Sequence, residues 1–412
     1  MNRVVRLMLG FGALPFLSAV APLLLLPIIA RIGGPAGWIA ILTGQALGSF
    51  AGVLIMAGWT IHGQARVAAS PTGRARHRIY AAALQRRVKA ALVVLPCGCL
   101  LTAMVVDEYD VDALLMFVAM AMSGLSLTWF ATGAGRPSWI VLYEAGPRLV
   151  AVALSAASIV ATGQLWIYPV LLIVATALGV TSFHRAIMGQ LWPRYERGDR
   201  VVARKEDIYG ATASVTGAVY SSAPVPVASA ALSEAWAAGL ASADRLYRYA
   251  TLVIVALANA LQAWVLDPMD QRRRSRAQIA LVMHTVLGLI GLGLLTLVGP
   301  TATAWLFGSD VTASPGTCWW FGMAFLGINI STALIRNIAI PTGRSGLVVL
   351  ATVVSAVTGV AVMVMQETPT GIAMGLAASE VLSAVVVGAG LLMTARRQAR
   401  TAAEEYTGLT HS

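Results

Sequence analysis

Runs of roughly 18–25 apolar residues follow one another from end to end of the chain, and they constrain its fold more than any other feature. A helix of about that length crosses the roughly 30 Å hydrocarbon core of a bilayer. Twelve such segments are read, at about 8–30, 38–61, 88–106, 111–133, 146–163, 165–187, 208–231, 239–266, 277–299, 316–340, 345–365 and 370–394. Ala and Leu dominate them and Gly is frequent, which predicts helices. A membrane barrel would alternate apolar and polar residues in stretches of about ten. Charged residues make up 11% of the 412 positions and hydrophobic ones 58%, whereas a soluble domain carries about 25% charged residues. The expected fold class is an all-α polytopic membrane protein with 12 transmembrane helices.

The placement of charge predicts orientation. With the N-terminus in the cytoplasm, all of the 29 Lys and Arg residues except Arg31, Arg245 and Arg248 fall on the inner side. The expected outer loops hold Asp107, Glu108, Asp110, Asp112, Glu234, Asp310 and Glu367. This positive-inside pattern puts both termini inside. The basic runs then serve topology and contact with anionic membrane lipids. They are split among several loops without interleaved aromatics, so nucleic acid is not an expected partner. Arg3 and Arg6 followed by an apolar run resemble a signal peptide, but Pro22 after Ala19-Val20-Ala21 disfavours cleavage, and the run continues to Ala30. An uncleaved first helix is expected.

The longest polar breaks are 62–87 and 188–207. The second lies at the middle of the chain, with six expected helices on either side. Two lobes follow, 1–200 and 201–412, in parallel orientation about an axis along the membrane normal. Gly12-Ala13 and Trp38 are echoed by Gly210-Ala211 and Trp236 at the same offset. Prolines also recur at corresponding places. The first helix holds Pro15, Pro22 and Pro27, and the seventh holds Pro224 and Pro226. Proline removes a backbone donor and kinks a helix, and paired interruptions in two halves point to a transport path. Pro22, Pro27, Pro224 and Pro226 are the expected gating kinks.

Enzymatic chemistry finds no support. Zinc-helix, phosphate-loop, nucleophile-elbow and dinucleotide motifs do not occur, and the five histidines have no ligand spacing. No enzyme activity, metal or organic cofactor is expected. Cys97, Cys99 and Cys318 lie in or near apolar segments, an odd number that argues against a disulfide framework. The acidic run DEYDVD at 107–112 reads as an orientation or solvation feature, with cation binding as the competing reading.

Ionisable groups within the membrane usually face a wet cavity. Asp244, Arg245 and Arg248 stand at the start of the eighth helix, with Asp244 and Arg248 spaced to pair at i,i+4. Glu380 lies near the middle of the last helix and His284 one to two turns into the ninth. Both are candidates for coupling to a proton or sodium ion. A hydrogen-bonded structural role is the competing reading, favoured for His284. Gln45, Asn259, Gln262 and Asn329 either line a cavity or join helices.

Residues 124–150 read GLSLTWFATGAGRPSWIVLYEAGPRLV. This stretch resembles the O-antigen-type polysaccharide flippases of the multidrug/oligosaccharidyl-lipid/polysaccharide exporter superfamily. The matching residues are Trp129-Phe130, Gly133 and Arg136 at the end of the fourth helix, then Glu144, Pro147 and Arg148 opening the fifth. LLPIIARIGGPAGWIAILTGQALGSF, ASADRLYR and GIAMGLAASEVL resemble further family segments in the same order. The resemblance implies two six-helix lobes in a V around a central cationic cavity, as in drug exporters of the same superfamily, working by alternating access. It implies a sugar unit on a polyprenyl diphosphate as substrate, turned from the inner to the outer leaflet of the bacterial cytoplasmic membrane. A glycan polymerase and glycosyltransferases are the implied partners. Arg245 and Arg248 would hold the phosphates near the outer side, helped by Arg31, and Arg148 and Arg336 would receive them on the inner side. Arginine suits this because its planar fork binds phosphate bidentately.

Three alternatives stand beside that reading. A cation-coupled multidrug exporter would carry an apolar, acid-dotted cavity, and the first helix here lacks the buried acid that drug-exporting relatives often have. Lipid II flippases typically have helices beyond twelve, where this sequence ends at Ser412. A membrane scaffold for glycan enzymes would not need matched proline kinks.

Overall fold

A computed structural model describes residues 3–56, 58–190, 205–266 and 273–409; side chains are described outside 3–24, 60–61, 205–207, 263, 273–274 and 398–409. The described residues are overwhelmingly helical and include no strand. That outcome follows from the solvent. Lipid offers no hydrogen-bond partner, so each spanning segment satisfies its backbone internally.

The helices are α1 (Arg3–Met56), α2 (Trp59–Ala69) and α3 (Gly73–Val105). Next come α4 (Asp110–Gly133), α5 (Pro137–Thr162) and α6 (Ile167–Met188). After 191–204 follow α7 (Lys205–Ser222), α8 (Pro224–Ala231), α9 (Glu234–Val265) and α10 (Arg273–Phe307). The chain continues through α11 (Pro315–Thr342), α12 (Ser345–Val364) and α13 (Pro369–Leu409). Nine stretches among the described residues are long and apolar enough to span a membrane. The expected segments 8–30, 208–231 and 239–266 fall on α1, on α7 with α8, and on α9. The chain is a multi-pass membrane protein. Leu297 and Met104 on its spans are 81% and 74% exposed, which suits a surface facing acyl chains.

α1 contains two spans separated at Gly34, whose φ of 59° and ψ of −165° lie outside the helical region. Only glycine adopts that conformation at little cost. Beyond it, Gly44, Gly48 and Gly52 repeat every four residues and so line one face. A Cβ on Gly44 would collide with the Ala113 carbonyl, and one on Gly48 with the Phe117 carbonyl. The second half of α1 therefore packs backbone to backbone on α4, as small-residue seams do in membranes.

The polar break expected at 62–87 is largely helical. α2 occupies much of it, and α3 begins at Gly73, well before the apolar segment expected from 88. Thr72 caps α3, its Oγ1 accepting from the Ala75 N–H at 3.2 Å. At 1.5 Å per residue α3 is about 50 Å long, so its basic first turns continue past the hydrocarbon. The two proline sets behave differently. Between Ser222 and Pro224 the helical hydrogen bonding is interrupted while Ala223 keeps helical φ and ψ of −69° and −36°, and Pro224 and Pro226 open α8. α1 stays helical through Pro27, its one non-helical residue being Gly34. Two absent donors two residues apart interrupt a helix where a single one only bends it. Pro22 lies on α1 outside the residues whose side chains are described.

The chain divides into two compact units. The first comprises 1–242, 301–313 and 367–369, the second 243–300, 314–366 and 370–412. The expected lobe boundary at 200/201 lies outside the described residues. The first unit has an aromatic core of Trp59, Tyr80, Trp129, Phe130 and Phe183. A core of the second is aliphatic, built on Leu334, Val348, Ala351, Val387 and Leu391.

Candidate functional site

In the second unit the charged groups gather on α9. Asp244 is fully buried and Arg245 only 4% exposed. Arg248 Nε donates to Asp244 Oδ2 at 2.6 Å, the expected i,i+4 pair. Arg245 Nη2 lies 3.9 Å from the same oxygen. One carboxylate thus faces two guanidinium groups. Arg248 keeps part of its side chain exposed.

Asn259 stands eleven residues beyond Arg248, which returns it to the same face of α9 about 16 Å further on. Its Oδ1 accepts from Arg336 Nη1 on α11 at 3.1 Å. The face bearing Arg248 therefore holds a second guanidinium through a neighbouring helix. This is a cationic track within one unit.

Glu380 on α13 is buried, and the Tyr247 hydroxyl on α9 reaches its Oε1 at a long 3.5 Å. Tyr247 is held against Phe321, ring centroids 5.6 Å apart. A Cβ on Gly327 would lie 2.9 Å from the Glu380 carbonyl carbon, so α11 approaches α13 through a glycine there. His284 sits elsewhere. Its Nδ1 is 3.3 Å from Asn329 Oδ1, and Asn329 Nδ2 donates to the Phe325 carbonyl at 2.8 Å. This joins α10 to α11, the structural arrangement favoured for His284 from sequence. In the first unit, Arg31 is exposed and donates from Nη2 to the Trp305 carbonyl at 2.8 Å.

Arg148 is half-buried on α5, beside a cluster that sequence reasoning missed. α4 is not continuous. A 3-10 turn at Met122–Leu125 is followed by Ser126 with φ −48° and ψ 142°, and the helix resumes at Thr128. The break frees carbonyls on one side and N–H groups on the other. Arg87 on α3, fully buried, donates from Nη1 to the Gly124 and Ser126 carbonyls at 3.3 and 2.8 Å. Glu144 on α5 takes the opposite role. It accepts from the Leu127 N–H at 3.3 Å, from Ser126 Oγ at 2.8 and 2.9 Å, and from Thr128 Oγ1 at 3.0 Å. Glu144 reaches this position from a π turn over Val141–Ala145. A cation and a carboxylate from neighbouring helices thus cap the two ends of a broken one, meeting through Ser126.

Aromatic groups enclose the cation. The Arg87 guanidinium lies 5.4 Å from the Trp129 ring centroid and 5.9 Å from that of Tyr80. The Tyr80 hydroxyl is 2.8 Å from His184 Nε2. Arg87 lies at the end of the polar break expected at 62–87. Its signal lay in spacing, because Tyr80, Ala83, Leu84, Arg87 and Ala91 form the buried helical stripe of α3.

Comparison with known proteins decides the fold. A multidrug resistance MATE family transporter of the MOP superfamily, inward-facing, superposes with a TM-score of 0.61 at 12% identity, covering 95% of this chain and 99% of that one. A MATE structure in the bent conformation gives 0.55 at 14% identity, with 96% and 95% covered. One in the straight conformation gives 0.51 at 13% identity, with 96% of each covered. The chain has the MATE fold. No family model matches the sequence, and no curated protein does.

Proposed function

We propose that the chain is a flippase that carries an oligosaccharide on a polyprenyl diphosphate from the inner to the outer leaflet by alternating access, for export of cell-surface polysaccharide. The observation that carries this reading is the cationic track on α9. Arg245 and Arg248 share the single carboxylate of Asp244, and Arg336 joins the same face through Asn259. A diphosphate needs positive charge and fork-like donors to leave water. A hydrocarbon-soluble cation would be repelled by the same guanidinium groups. Arg31 and Arg148 extend this chemistry in the first unit. The kinks at Pro22, Pro27, Pro224 and Pro226 would bend as the protein alternates.

The proposed setting is the bacterial cytoplasmic membrane, with both termini in the cytoplasm and with glycosyltransferases and a glycan polymerase as partners. A coupling proton or sodium ion would sit at Glu380. That buried carboxylate is also the observation favouring the second reading, a cation-coupled multidrug exporter. A lipid II flippase uses the same diphosphate chemistry and differs in the glycan.

Reconstitution separates these readings. Proteoliposomes carrying a lipid-linked oligosaccharide are expected to expose its headgroup on the far leaflet in a protein-dependent way. They are expected not to accumulate cationic dyes under a proton or sodium gradient. Dye accumulation without headgroup exposure would replace the flippase reading with the drug exporter.

A further inference from the structure

A pocket of about 360 Å³, its open mouth included, lies at the break in α4. Ser123, Ser126, Tyr143, Glu144, Arg148 and Thr176 contribute its polar lining. The side chains of Arg148, Tyr143, Ser123 and Thr176 make no hydrogen bond or ion pair with other described residues. Glu144 differs, since its oxygens already accept from Ser126, Leu127 and Thr128.

The charge arithmetic selects the ligand. Arg87 and Glu144 cap the same helix break and offset one another through Ser126. Arg148 is left as one uncompensated positive charge, beside three hydroxyls free to donate. A cation would meet that guanidinium and a carboxylate that already accepts from Ser126, Leu127 and Thr128. A neutral sugar would leave the charge unmatched. A phosphate oxyanion takes a charge-assisted bond from arginine and further bonds from hydroxyls.

We propose that this pocket binds a phosphate group of the lipid-linked diphosphate, with Arg148 as the anion-binding residue and Tyr143, Ser123 and Thr176 as hydroxyl donors. The inference rests on the flippase reading and adds three contact residues and a place on α4, α5 and α6. The Tyr143 ring is fixed against Phe183, centroids 5.6 Å apart, so its hydroxyl is presented without further ordering.

The test uses the full chain in nanodiscs with three probes: inorganic pyrophosphate, a polyprenyl diphosphate and the matching polyprenol. The first two are expected to raise the melting temperature and the third is not. Arg148→Gln is expected to weaken pyrophosphate binding by about tenfold or more, as loss of a charged donor does, and Tyr143→Phe and Thr176→Val by about threefold each. An Arg148→Gln protein with native circular dichroism that binds pyrophosphate as tightly as the parent overturns the proposal. So does a parent that binds neither phosphorylated probe. Failure of the flippase reading shows separately, as headgroup translocation absent from proteoliposomes while Arg148-dependent pyrophosphate binding persists.

Discussion

Among the described residues, two arginines are buried in different ways. Arg87 in the first unit reaches a different helix and donates from Nη1 to main-chain carbonyls exposed by the break in α4, while its Nε donates to Ala83 on its own helix. Arg245 in the second faces a carboxylate one residue away on its own helix, and Arg248 already claims that carboxylate at 2.6 Å. The first cation holds the main chain of a neighbouring helix. The second shares one carboxylate with another cation on its own helix. Burial alone does not separate a structural from a functional arginine; the number of cations per anion and the origin of the acceptors do.

The comparison breaks most sharply at Arg87. Arg87→Leu removes two charged hydrogen bonds and strands the carbonyls of Gly124 and Ser126, for a loss of about 3 kcal/mol or more. A thermal melt in detergent should show it as the largest shift among single substitutions in either cluster. Glu144→Ala should follow at about 2 kcal/mol, with Glu144→Gln recovering part of it, because an amide oxygen still accepts from Thr128 and the Leu127 N–H. Arg245→Met should lower stability by only about 1 kcal/mol, since Asp244 keeps Arg248 and the aliphatic stem is replaced in kind. A melt in which Arg245→Met costs as much as Arg87→Leu would erase the distinction. The smallest effect is expected at Tyr247→Phe, below about 0.5 kcal/mol, because a 3.5 Å contact with Glu380 is at the limit of a hydrogen bond.

Much of the fold is legible in sequence because lipid simplifies the code. A long apolar run has one folding option, so all twelve expected segments meet helix. The Asp244–Arg248 pair was legible for a similar reason: helical spacing is local. What escaped required knowledge of neighbours. Tyr247 meets Glu380 only because α9 lies beside α13, and no spacing reports that. Arg87 escaped because its charge placed it in a basic run, while its position on the Tyr80–Ala91 stripe marked it as inward-facing. The break in α4 escaped because GLSLTW contains no proline. Its stability comes from capping groups on α3 and α5. The glycines at 44, 48 and 52 carried a packing signal that hydropathy counts overlook.

The central claim is that the arginines of α9 carry a diphosphate, and headgroup translocation in proteoliposomes tests it when charge is varied at constant fold. Arg248→Gln removes one of these cations and is expected to slow translocation by about tenfold or more. The double variant Asp244→Asn/Arg248→Gln restores one net positive charge through Arg245 and is expected to regain a measurable part of the rate. Equal rates for the parent, the single and the double variant, each with native circular dichroism, would contradict the claim.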